Sequence, residues 1–225
     1  MSAHPDAARS ARYWPVPLLR AVPALAMGVI ITFSPDHSAR IGLIVFGAAT
    51  LVAGLVLALG AATRLSSDPS SRTMQLVQGV VGLLAGIAAL VFSSGGLTVL
   101  VAVVLAWAFV TGALELVTGL RRRGRSPLAR DWTTVGALTL ALALAFVLVP
   151  PDYARELGGI ERIEGVLTSS TVLVGLLGAY GALVGVFLVI AGLSLKWQTT
   201  TPDPAGIPAH PASDADTSSD GVPQR

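Results

Sequence analysis

Glu115 is the one ionisable side chain inside the apolar run 97–120, and it lies six residues before Arg121. On a helix that separation is about 9 Å of rise. A carboxylate at that depth in hydrocarbon costs several kcal/mol unless it is paired, protonated or hydrated, so an intramembrane acid is read first as functional. Its candidate partners are Arg20, in the first apolar run, and Arg121 or Arg122, one to two turns away. Two kinds of chemistry are open to it. Glu115 can be the coupling group of a small transporter or channel, or it can hold helices together through a paired charge. Arg20 can equally snorkel to the nearer membrane surface. A proton or ion path normally strings several such groups in series, and only one such acid stands here.

The elements that must position these residues are apolar and long. Hydrophobic residues make up 53% of the 225, and charged residues only 12%, about half of what a soluble domain carries. Crossing hydrocarbon takes about 20 residues of helix. Runs of that length fall at about 16–33, 41–62, 76–92, 97–120, 132–149 and 172–195. The reading is an all-α integral membrane protein of six transmembrane helices, arranged as three hairpin repeats. Residues 1–15 form a polar N-terminal segment, 16–197 the membrane domain, and 198–225 a Pro-, Ser- and Thr-rich tail expected to be disordered. Of fifteen Lys and Arg, only Arg40, Arg155 and Arg162 fall outside if both termini are cytoplasmic, which leaves twelve inside. The positive-inside bias therefore predicts an N-in/C-in topology in a bacterial plasma membrane. The cluster Arg121, Arg122, Arg123 and Arg125 then lies at the cytoplasmic headgroups, a candidate contact for anionic lipid.

Glycines mark the repeat. Gly54 and Gly112 stand 58 positions apart, as do Gly28 and Gly86, and Gly192 extends the series to the sixth run across the insert at 152–168. Gly181 and Gly185 form a G-x-x-x-G, a spacing that lets helices approach closely. These seven glycines are the expected helix-packing positions, and packing within one chain is preferred over a homo-oligomer interface. Gln75 and Gln78 open the third run and read as interfacial, as do Trp132 and Trp197, whereas Trp107 is deep enough to pack between helices. In the insert, Tyr153, Leu157, Ile160, Ile163 and Leu167 recur at helical spacing, which predicts a short amphipathic helix on the outer surface. Gly158 and Gly159 weaken it by roughly 1 kcal/mol each relative to alanine.

Other chemistry is not legible. The chain has no cysteine, and its three histidines all stand outside the apolar runs. No phosphate-cradling glycine loop, metal-ligand spacing or nucleophile–base pair occurs. The expectation is a protein that is not an enzyme, with no cofactor, no metal and no nucleic-acid partner.

Three short hairpins, with 28–33, 86–92, the run 107–115 containing Gly112, and then Arg121 to Arg123, resemble the HdeD-type short-repeat membrane proteins. The resemblance covers roughly residues 18–197. It implies a bacterial multi-pass membrane protein associated with acid or stress resistance, acting through lipid or partner contacts. The insert and the long tail depart from the family pattern. The topology has a direct test. A cysteine placed at Ser94 reacts with an impermeant thiol reagent added to intact cells, and one placed at Ser70 does not; the reverse pattern would invert the orientation.

Overall fold

A computed structural model describes residues 13–64, 69–124, 126, 128–156 and 166–200. Six helices follow one another: α1 (Pro15–Phe33), α2 (Ala39–Arg64), α3 (Pro69–Val91), α4 (Gly96–Arg121), α5 (Leu128–Leu148) and α6 (Ser169–Thr200). All six are long and apolar enough to cross a membrane. Leu19, Phe33, Leu84, Phe109, Leu144 and Ile190 are among the large apolar side chains left exposed on them. In water such a surface invites aggregation, and in a bilayer it is the lipid-facing wall. Tight turns join the hairpins. Asp36 caps the one before α2 by accepting from the Ser38 amide at 2.8 Å, and Gly96 turns into α4 at φ +71°.

The tightest helix pairs are not the sequence hairpins. They are α2 with α3, α4 with α5, and α1 with α6. Each of these pairs meets through glycine, backbone against backbone. A Cβ on Gly54 would stand 2.8 Å from the Gly79 carbonyl oxygen. On Gly136 it would stand 2.5 Å from the Leu116 amide, and on Gly28 2.8 Å from the Ala182 amide. The helices α2, α4 and α6 line the inside, since α2 also touches α4 and α6 directly. Around them α1, α3 and α5 form an outer set. The bundle is thus a ring of three glycine-faced pairs, and the first and last helices of the chain close it.

Buried positions repeat with this geometry. Ala21, Gly79 and Gly136 correspond on the outer helices, as do Ile31, Ala89 and Phe146; all are buried. On the inner helices the correspondence corrects the expected register of the third repeat. Gly54 faces the Leu83 amide and Gly185 faces the Leu25 amide, 58 residues earlier on the equivalent helix. Gly185, not Gly192, is therefore the counterpart of Gly54 and Gly112. Gly192 packs on Leu18, two turns nearer the chain's end. The half of the axis away from the termini is an apolar plug that includes Ile31, Leu43, Phe46, Leu100, Val104, Phe146 and Leu177.

Two sequence expectations are corrected at the edges of the helices. Helix α3 begins at Pro69, and Gln75 and Gln78 on it are buried at 1% and 2% exposure rather than interfacial. Trp132 is likewise buried, among Tyr13, Val16 and Leu128. Polar side chains can begin a span early when they face protein rather than lipid. The insert is the second correction, because its described ends are strands and not a surface helix. Strand β1 (Ala154–Glu156) pairs antiparallel with β2 (Val166–Thr168), Arg155 opposite Leu167. The hairpin is tied down where Ser169 Oγ lies within 2.9–3.1 Å of the carbonyl oxygens of Pro150, Pro151 and Tyr153. Leu157, Ile160 and Ile163 lie outside the described residues. So do Arg125, residues 1–12 and the expected disordered tail from 201 onward.

The glycine contacts set the cost of filling them. Gly136→Val forces a branched side chain against backbone and is expected to destabilise by at least about 1–3 kcal/mol, the usual range for overpacking. Gly175→Ala, where no atom lies within 4 Å of the added carbon, is expected to be neutral or stabilising by up to about 1 kcal/mol. Thermal or SDS-titration midpoints of the detergent-purified variants would check the contrast.

Candidate functional site

Arg20 and Glu115 meet. Arg20 Nη1 stands 3.0 Å from Glu115 Oε1, with the side chains 15% and 3% exposed. Arg20 comes from the second turn of α1 and Glu115 from the last two turns of α4, so the pair joins an outer helix of one repeat to an inner helix of the next. The contact is an ion pair by distance, but its angle is poor. Glu115 Oε1 and Arg20 Nε both lack a hydrogen-bond partner.

The repeat shows how local this chemistry is. On the inner helices the counterparts of Glu115 are Leu57 and Leu188, both buried. On the outer helices the counterparts of Arg20 are Gln78 and Val135, also buried. One of three equivalent interfaces therefore carries charge, and the other two make do with leucine. Gln78 fills its place by donating from Nε2 to the Thr111 carbonyl oxygen at 3.1 Å.

Further polar groups surround the pair. Tyr13 OH donates to Gln75 Oε1 at 3.2 Å, and burial raises the Tyr13 hydroxyl well above its ordinary pKa, which keeps it a donor. Thr139 Oγ1 spends its proton on the Val135 carbonyl oxygen at 2.8 Å. The 2.9 Å contact between Thr139 and Tyr180 must then be donated by Tyr180. Trp107 packs between helices as expected, edge-on to Phe46 at 5.1 Å and to Tyr180 at 6.1 Å. A cavity of about 30 Å³ lies against Arg20, Gln78, Thr111, Glu115, Thr139 and Tyr180. A second one, about 20 Å³, touches the other side of Arg20 and reaches Asp131. Each has room for one or two waters and no more.

The remaining sequence candidates sit elsewhere. Arg121 is the last residue of α4 and is exposed, Arg122 is half-buried, and Arg123 is exposed in the turn that follows. None of the three joins Glu115 in an ion pair. Gly181 and Gly185 pack on Ala24, Met27 and Leu25 of α1, within the chain. Among the described residues no three His, Cys, Asp or Glu come close enough together to hold a metal. Sequence reasoning missed Tyr13, Gln75, Gln78, Thr139 and Tyr180. For Gln78 a signal existed, since it stands 58 residues after Arg20, the glycine offset.

Comparison with known families matches this frame twice. The family described as a short repeat of unknown function (DUF308) aligns with residues 19–91 and again with 77–148. The chain belongs to this family. Successive matches start 58 residues apart, the same step that separates Gly28 from Gly86. Comparisons with curated proteins and with solved structures give no match. The DUF308 repeat thus covers α1 to α5, while the pair-closing helix α6 follows it.

The ion pair predicts a non-additive mutant cycle. Arg20→Met alone or Glu115→Leu alone strands a buried charge and is expected to cost about 3–5 kcal/mol. The double variant, which gives the axis the leucine already present at Leu57 and Leu188, is expected to recover to within about 1 kcal/mol of wild type. Unfolding midpoints of the four proteins in one detergent would check it.

Proposed function

We propose that this short-repeat protein is a non-enzymatic, multi-pass component of the bacterial plasma membrane, with both termini cytoplasmic. In this reading it contributes to acid or stress resistance through contacts with lipid or a partner, and it does not move a solute. The observation that carries the reading is the occupancy of the axis. Glu115 is spent on Arg20, the cavity beside it is water-sized at about 30 Å³, and the far half of the axis is packed with Leu43, Phe46, Leu100, Val104 and Leu177. The orientation rests on the twelve-to-three charge asymmetry, and the physiological context on the resemblance to HdeD-type proteins.

Transport is the second reading, and one observation favours it. Glu115 Oε1 and Arg20 Nε lack hydrogen-bond partners beside a cavity, as a proton-binding acid would before loading. Proteoliposomes separate the two. With a pH gradient and an internal pH dye, wild-type protein is expected to leave proton leak at the level of protein-free vesicles, and equally so for small-solute efflux. Proton flux in wild type that disappears in the folded Arg20→Met/Glu115→Leu protein would overturn the scaffold reading and install Glu115 as the coupling group.

A further inference from the structure

At the arginine-bearing end, the turn between α4 and α5 and the first two turns of α5 border a groove of about 500 Å³, lined by Arg123, Gly124, Ser126, Arg130, Thr133 and Thr134 along with Ala129. That volume is in the range of small-molecule sites, more than ten times the cavities on the axis. The groove owes its form to two backbone features. Gly124 turns the chain at φ +76° just past α4, with no atom within 4 Å of where its Cβ would be. One turn earlier Gly119 brings α4 against the Thr133 amide, at 2.6 Å from its missing Cβ. Space is thus left open at Gly124 while the helices touch at Gly119 and Thr133.

The lining is not a requirement of the fold. In the α2–α3 pair, Thr73, Leu76 and Val77 occupy the places of Arg130, Thr133 and Thr134, and in the α6–α1 pair the places fall to Pro15, Leu18 and Leu19. At these places one of the other ends is apolar and the second carries a single hydroxyl, Thr73, where the third carries a guanidinium and two hydroxyls. The lysine near the α6–α1 end is already engaged, with Lys196 Nζ 5.2 Å from the centre of the Trp14 ring. Arg123 and Arg130 are exposed, and the face of α5 that begins at Arg130 continues through exposed Ala137, Ala141 and Leu144. A cationic mouth at the end of a span, followed by a shallow stripe of small apolar residues, matches a molecule with an anionic head and an acyl chain.

We propose that the α4–α5 groove binds one anionic phospholipid, its phosphate between Arg123 and Arg130 and an acyl chain along Ala137 and Ala141. Ser126 Oγ, which accepts from the Leu128 amide at 3.3 Å, keeps its proton for an ester or glycerol oxygen, whereas Thr133 and Thr134 donate theirs to the Ala129 and Arg130 carbonyl oxygens and can only accept there. The proposal rests on the lipid-contact reading above, and specifies one site for it that the loop cluster Arg121 to Arg125 alone does not define. A phosphate held by two arginines gains from charge-assisted hydrogen bonds at a depth where water competes less than in bulk.

Native mass spectrometry of the full chain, released from micelles doped with phosphatidylglycerol or phosphatidylcholine, tests this. Wild type is expected to retain one phosphatidylglycerol in preference to phosphatidylcholine. Retention should fall about 30-fold in Arg123→Gln/Arg130→Gln, from the loss of two basic side chains near a membrane surface, and should persist in Arg72→Gln, an exposed arginine on α3. Ala137→Trp/Ala141→Trp, which fills the stripe and leaves the arginines, should also weaken retention. Equal retention in wild type and the double arginine variant would overturn the site, as would no preference for the anionic lipid. Displacement by millimolar inorganic phosphate would reassign the groove to free phosphate and overturn the lipid. A failed lipid site leaves the flux result standing, and a positive flux result leaves the lipid count standing, so the two readings fail separately.

Discussion

Between helices surrounded by hydrocarbon, burying apolar surface supplies no driving force, because lipid tails are as apolar as leucine. What remains is close van der Waals contact and the few polar bonds that reach across. This chain meets that constraint with glycine. Gly54 against Gly79, Gly112 against Gly136, and Gly28 against Ala182 let backbones touch, so each pair gains contact along several turns. The ring architecture follows, since each inner helix offers its glycine face to one outer helix and its remaining face to the axis. Large residues such as Phe46, Val104 and Leu177 can then fill the centre.

Into that nearly repetitive frame the protein places an ion pair, Arg20 with Glu115. The ion pair spans from α1 to α4, helices that are not a glycine-faced pair, and so it fixes how the first repeat sits against the second. A buried pair is weak evidence for stability, because desolvation offsets most of the attraction. Its better-attested use is to specify an arrangement: any packing that separates Arg20 from Glu115 leaves two charges in hydrocarbon. Leu57 and Leu188, at the equivalent positions, show that the axis accepts an apolar residue there. The charge therefore distinguishes one of three otherwise similar interfaces.

Much of this was legible in the chain. Six apolar runs separated by short polar turns leave little choice of fold, and the glycine spacing at 58 residues exposed the repeat. Arg20 was one of three candidate partners for Glu115, beside Arg121 and Arg122, and only the packing of α1 near α4 selects it. Other features were hidden for physical reasons. Gln75, Gln78 and Trp132 look interfacial because a linear scan measures distance from the end of a run, not whether a side chain faces lipid or protein. Gly192 looked like the third repeat's glycine because its neighbours, Ala191 and Leu193, matched those of Gly54, while the insert erased the spacing that would have pointed to Gly185. The insert's helical periodicity was real in the sequence. At the insert's described ends, strand pairing of Arg155 with Leu167 stands in place of it.

The pairing of α1 with α6 has a consequence for how the protein is made. Chains enter the membrane from the N-terminus as they are synthesised. Helices α2 and α3 can close their glycine faces as soon as both have emerged, and so can α4 and α5. The first helix has no such neighbour. It leans on α2 through Val16 at Gly60, but its face at Gly28 waits for Ala182 and its arginine waits for Glu115, so that face stays open to lipid through most of translation. Assembly of the bundle is therefore complete only when the last span arrives, and a chain cut short before α6 leaves α1 with its small-residue face open to whatever helix the membrane offers.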